Sequence, residues 1–129
     1  MEESTFRFIN YRISKIETFI AENFGKESEN LKQSINVTHE VSEEEPRKVT
    51  VYLHINIIAD SEKLKFNTVV VGYFEANEEM PEDLFKKLCE INAPAILLPY
   101  ARSIITNFTA LCNIKPIILP LFNLTKNKE

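Results

Sequence analysis

The sequence predicts an α+β fold. Period-two apolar alternation dominates as far as Ala76, helical spacing takes over after Asn77, and strands precede helices instead of alternating with them. The 129 residues contain only two glycines but nine Phe and four Tyr, a composition suited to packed elements and poor in material for a phosphate-cradling loop. At this length one domain over 1–129 is expected, with residues 124–129 a solvated tail.

The first segment, Phe6 to Phe24, carries Phe6 and Phe8 on one parity, Tyr11 and Ile13 on the other, then Ile16 and Ile20 back on the first. Such switching suits a long bent strand with a bulge or an edge crossing, and a helix over Ile16 to Phe24 is the alternative. Leu31, Ile35, Val37 and Val41 share one parity, interrupted by Gln33 and His39, and predict a second strand that enters the third through the charged turn "SEEEPRK". In "RKVTVYLHINIIAD" Val49, Val51, Leu53, Ile55, Ile57 and Ala59 alternate with mostly polar neighbours, the pattern of an antiparallel strand covered on one side. From Leu64 to Ala76 one side carries Leu64, Phe66, Val70 and Phe74, while Val69, Val71 and Tyr73 make the other side apolar in its second half.

"EEMPEDLFKKLCEI" opens with acids suited to a helix amino terminus and repeats Leu84, Leu88 and Ile91 at helical spacing, so a short helix is expected. From Ala95 a longer helix follows. Leu97, Ala101, Ile104, Phe108 and Leu111 recur at intervals of four and three, with Leu98, Ile105 and Cys112 widening the apolar sector. Pro94 fits the helix entry, and Pro99 is expected near the start or at a local kink. The helix should end near Asn113, leaving "KPIILPLFNL" extended over an apolar surface.

A net charge of -4 with scattered basic residues argues against nucleic acid as a partner. No signal peptide is evident, and the apolar stretches are too broken for stable membrane insertion, so a cytoplasmic location is expected. Cys89 and Cys112 lack the local pairing of a metal knuckle or redox motif, and both read as reduced thiols. His39 and His54 stand apart from any metal-ligand cluster, no carboxylates pair on one rigid element, and Ser61 and Ser103 lack a nucleophile turn. No catalytic residue, metal or cofactor is therefore expected, and the protein reads as not an enzyme.

Apolar abundance remains to be accounted for: the wide helix sector, the two-sided stretch Val69 to Phe74, and Ile117 to Phe122. One monomer core consuming all three is one account. Self-association burying the helix face, with a groove left between strand and extended segment, is the other.

At "NAPAILLPYAR", Asn92 through Arg102, the chain resembles the SecB family of protein-export chaperones, and "VVVGYFEA" upstream matches that family's glycine and aromatic strand pattern at Gly72 and Phe74. The resemblance implies a four-stranded antiparallel sheet with a short and a long helix on one face, assembled as a homotetramer, a dimer of dimers. It further implies an ATP-independent holdase that binds unfolded precursors in an apolar groove before export through the Sec pathway, handing them to the SecA translocation motor. On that reading the groove is assigned to Tyr73, Phe74, Leu98, Tyr100, Ile117, Leu119, Leu121 and Phe122. The oligomer interface is assigned to Leu97, Ala101, Ile104, Ile105, Phe108 and Leu111. Two departures qualify the partner. "NLTKNKE" leaves room for at most a stub of the family's terminal helix and acidic tail, and Lys63, Lys65 and Asn67 stand where the export members present acids. A specialised chaperone of an antitoxin, or of another single client, is the alternative.

Overall fold

The computed structural model describes residues 5–120; Leu121, Phe122 and the expected tail at 124–129 lie outside them. Four strands come first: β1 (Phe6–Ile20), β2 (Leu31–Val41), β3 (Lys48–Ala59) and β4 (Leu64–Ala76). They form one antiparallel sheet in the order β1-β4-β3-β2, so β1 and β2 are its edges. The parity switches in the first segment correspond to two register shifts of β1 against β4, one between Phe8 and Asn10 and one between Ile13 and Lys15. Each adds a residue to β1, which returns Tyr11 and then Ile16 to the covered side of the sheet. The helical alternative for Ile16 to Phe24 is not adopted.

The helices cover the sheet face formed by Val51, Leu53, Ile55 and Ile57 of β3 and by Leu64, Phe66, Val70 and Phe74 of β4, all buried. Helix α1 (Glu82–Lys87) begins after Pro81, with Glu82 and Asp83 in its first turn and Lys86 and Lys87 in its last, both favourable to the helix dipole. Arg47, from the turn between β2 and β3, anchors it. Its Nη1 donates to Glu82 at 2.7 Å, its Nη2 donates to the Met80 carbonyl at 2.8 Å, and its guanidinium lies 4.8 Å from the centre of the Phe85 ring.

The sequence reading expects two helices, but the chain passes between them without a break through a π-helical turn, Leu88–Asn92, into α2 (Ala93–Leu111). Pro94 explains the wide turn. It has no N–H to offer the Glu90 carbonyl four residues back, and the Ala93 N–H instead reaches Leu88, five back. Pro99 sits in the second turn of α2, where both it and Ala95, the residue whose carbonyl loses its partner, are exposed to water. The helix stops where Asn113 takes a left-handed conformation at φ 61.

Gly72 governs how α2 meets the sheet. A Cβ there would lie 2.5 Å from Leu97 Cδ2 and 2.7 Å from Cδ1, so only glycine admits Leu97 to this depth.

Candidate functional site: an apolar cleft beside β2

Three sectors of α2 face three directions. Ala93, Leu97, Ala101, Ile105 and Thr109 lie on the sheet and are buried. Ile96, Tyr100, Ile104 and Leu111 follow at helical spacing on the flank toward β1, where Tyr100 stands 4.7 Å from Tyr11 and 5.4 Å from Phe8 between ring centres. Continuing the aromatic row, Phe8 and Phe6 lie 5.2 and 5.3 Å from Phe74. This flank stays open at its rim: Ile96, Tyr100, Tyr11 and Ile13 are each more than a third exposed, and Leu111 is 85% exposed.

On the opposite flank, toward β2, the residues after α2 run back along the helix. Three side chains fasten them. Arg102 Nε donates to the Leu119 carbonyl at 3.0 Å, Thr106 Oγ1 donates to the Ile117 carbonyl at 2.8 Å, and Thr109 Oγ1 accepts the Ile117 N–H at 2.9 Å while donating to the Ile105 carbonyl at 2.7 Å. The main chain here has no ladder to join, so these bonds replace the ones a sheet would supply. Ile117 and Leu119 point into the core, whereas Ile118 between them is 70% exposed.

Between this fastened segment, the loop after β1 and the start of β2 lies an open cavity of about 640 Å³. Phe24, Leu31, Leu64, Ile114, Ile117 and Ile118 make its apolar lining, and Glu27, Ser28 and Glu29 stand at its polar rim. Its size is that of a site for a few side chains, not a whole folded partner. Gln33 also lines it, with a buried Oε1 that accepts no hydrogen bond. Along β2 the half-buried Leu31, Ile35 and Val37 continue the apolar surface beyond the cavity.

The eight residues assigned to the groove from sequence are divided by this arrangement. Ile117 lines the cleft; Leu119 is buried beneath the same segment; Leu98 and Phe74 are buried in the core; Tyr100 belongs to the β1 flank. Tyr73 lies on the uncovered face of the sheet, within a shallow depression of about 750 Å³ beside Arg7, Arg12 and Glu75, where Arg7 and Glu75 form an ion pair. Leu121 and Phe122 fall outside the described residues. Of the six assigned to an oligomer interface, Leu97, Ala101 and Ile105 are wholly covered by the chain's own sheet, while Ile104, Phe108 and Leu111 reach its surface. Phe108 also packs 5.7 Å from Phe66 between ring centres. Sequence reasoning missed Arg102, Thr106 and Thr109 as fasteners. Their spacing of four and three along one side of α2 was the available signal.

Lys65 lies half-exposed on the uncovered sheet face, paired with Glu62 at 3.4 Å. Cys89 is buried beneath the π-helical turn, and that burial, reinforced by Glu90, pushes its thiol up to about 11. Among the described residues there is no group of three or more His, Cys, Asp or Glu placed to hold a metal, and no helix long and apolar enough to cross a membrane.

Residues 14–126 match the family model described as preprotein translocase subunit SecB. An uncharacterised protein of Methanocaldococcus jannaschii is 35% identical over 126 residues, covering 91% of this chain and 78% of its own. The protein-export protein SecB of Anaplasma phagocytophilum is 31% identical over 84 residues, 61% of this chain and 53% of its own. Among solved structures, the SecB-like chaperone of Mycobacterium tuberculosis, in complex with a ChAD peptide from the HigA1 antitoxin, superposes with a TM-score of 0.74 at 9% identity, over 92% of this chain and 88% of that one.

Proposed function

The chain belongs to the SecB family, and from that premise we propose that it is an ATP-independent holdase that binds unfolded polypeptides in the cleft beside β2. The cleft itself carries the reading: a row of apolar side chains, Phe24, Leu31, Leu64, Ile114, Ile117 and Ile118, open at one side and bordered by Glu27, Glu29 and Lys115. Such a surface does no bond chemistry. It gains affinity from burying client side chains, worth roughly 25 cal/mol per Å² of apolar area, with little dependence on client sequence.

Assembly as a homotetramer, a dimer of dimers, accords with the apolar stripe on the other flank of α2, which one chain leaves half uncovered. Export through the Sec pathway, in the cytoplasm and with SecA receiving the client, is the first role, in keeping with the family and with the export protein among the relatives. A chaperone dedicated to an antitoxin or another single client is the second. The exposed Lys65 on the uncovered sheet face and the structural likeness to a chaperone carrying an antitoxin peptide favour it.

The test is suppression of aggregation. The purified protein should keep several unrelated denatured proteins soluble without ATP, and Ile118→Asp should weaken that holding severalfold at no cost to folding, because Ile118 is already 70% exposed. Failure with every client would overturn the holdase reading. Tight binding of a single partner, with indifference to the others, would select the dedicated chaperone.

A further inference from the structure

The connection from β1 to β2, residues 21–30, is longer than its path. It joins opposite edges of the sheet at one level, since Ile20 pairs with Leu64 and Leu31 with Ala59, on either side of the β3–β4 turn. Passing from edge to edge covers the width of the sheet, about 14 Å, whereas this length of chain can extend to about 30 Å. The slack is taken up at the mouth of the cleft, where Phe24, Gly25 and residues 27–29 form one wall of the cavity.

Both ends of the connection are tied to the turn it crosses. At the start, the Ala21 N–H donates to the Lys63 carbonyl at 2.8 Å. At the finish, the Asp60 N–H donates to the Asn30 carbonyl at 3.1 Å, and Glu29 grips Ser61 twice: Oε1 accepts the Ser61 N–H at 2.8 Å and Oε2 accepts its hydroxyl at 2.9 Å. Hydrogen bonds to a carboxylate are stronger than those between neutral groups. Among the described residues no other side chain of the connection forms a hydrogen bond or ion pair. Between the ties, residues 25–28 are exposed, and Gly25, at φ 93, has nothing within 4 Å of where a Cβ would stand. Ser61, whose hydroxyl also accepts the Lys63 N–H at 3.2 Å, is not part of the cleft lining.

We propose that Glu29 is a positioning residue for client holding: its grip on the Ser61 turn keeps the slack connection standing as a wall of the cleft. This rests on the holdase reading and deepens it. A wall already in place needs no ordering when a client arrives, whereas a loose one adds that ordering cost to every binding event. The loss then appears mainly as faster release.

Ser61→Ala tests the tie from its far side, because a residue outside the cleft lining reaches a client only through Glu29. With fluorescein-labelled, reduced and carboxymethylated α-lactalbumin as client, Glu29→Ala should speed release roughly three- to tenfold. Ser61→Ala should speed it less, since it keeps the N–H bond, and the double variant should release no faster than Glu29→Ala alone. Glu22→Gln removes an exposed charge from the same connection without touching the tie and should release like wild type. Urea midpoints should stay close to wild type in every variant, and the Ser61 amide of the wild-type protein should be protected from exchange without client. Release unchanged in Glu29→Ala while client is held overturns the positioning role and leaves the holdase intact. Faster release that only follows a lower urea midpoint overturns it too, because Glu29 then acts on stability alone. Effects of Glu29→Ala and Ser61→Ala that add in full, equal acceleration by Glu22→Gln, or a freely exchanging Ser61 amide likewise overturn it. No client bound by the wild-type protein removes the holdase reading and this inference with it.

Discussion

Replacing Gly72 with alanine should destabilise the fold through a single contact. The added methyl carbon would lie 2.5, 2.7 and 2.9 Å from Leu97 Cδ2, Cδ1 and Cγ. Carbon atoms prefer separations of about 3.5–4.0 Å, so Leu97 must withdraw by roughly 1 Å. The atoms in the way belong to a side chain with alternative rotamers, but Leu97 has no exposed surface, and any new rotamer meets packed neighbours. The withdrawal therefore falls on the rotamer or on the seating of α2, at a cost of about 1–3 kcal/mol. Leu97→Ala alone should cost about 2–5 kcal/mol, by opening a cavity over the same glycine. In the double variant the methyl at 72 enters the space that Leu97 has left, so the pair should be less destabilised than the two losses summed, by about 1–3 kcal/mol. Urea titrations of the four proteins, all at one protein concentration, give the coupling from their midpoints. Additivity within about 0.5 kcal/mol, or an unchanged midpoint for Gly72→Ala, would refute the close-approach argument.

Other perturbations address the flanks of α2 and the buried thiol. Thr109→Val strands the Ile117 N–H in a buried position and should cost about 1–3 kcal/mol, while Thr109→Ser keeps the bond; faster proteolysis at residues 114–120 in the valine variant alone is the expected outcome. Leu111→Asp should lower the oligomeric state seen by light scattering with the circular dichroism unchanged, because Leu111 is 85% exposed, whereas Ile105→Asp should unfold the chain, because Ile105 has no exposed surface. Cys89 contributes a pH dependence of definite sign. Its folded thiol holds its proton up to about 11, well above an ordinary thiol, so over that window the native state binds more protons than the unfolded one and stability falls as pH rises. Cys89→Ala should flatten the decline in urea midpoint above pH 9 relative to wild type.

Much of the fold was legible because strand and helix periods differ so strongly. The bounds of β3 and β4 follow from alternation alone, and the parity switches at Tyr11 and Ile16 signal bulges that do occur. The π-helical turn was not legible, since Leu88 and Ile91 keep ordinary helical spacing within it and only Pro94 hints at the slip. The site was harder. Tyr73 and Phe74 are neighbours on one strand and must point to opposite faces, so they never had a common groove available. The helix sector from Leu97 to Cys112 spans too wide an arc for one neighbour, and period alone does not say which edge the sheet takes. Gly72 settles it by drawing Leu97 inward.

That inward pull also divides the two flanks of α2. With Leu97, Ala101 and Ile105 fixed on the sheet, helical geometry sends Tyr100, Ile104 and Leu111 toward β1 and sends Arg102, Thr106 and Thr109 toward β2. The first flank is apolar and unfastened, so a second surface is the natural means of covering it. The second carries the polar groups that hold the returning chain, and this chain in turn walls the cleft with Ile114 and Ile118. On the proposed function, assembly and client holding draw on opposite sides of one helix, and covering the β1 flank with other copies leaves the cleft accessible. A holdase needs that separation, because a groove consumed by its own oligomer would have nothing left to offer a client.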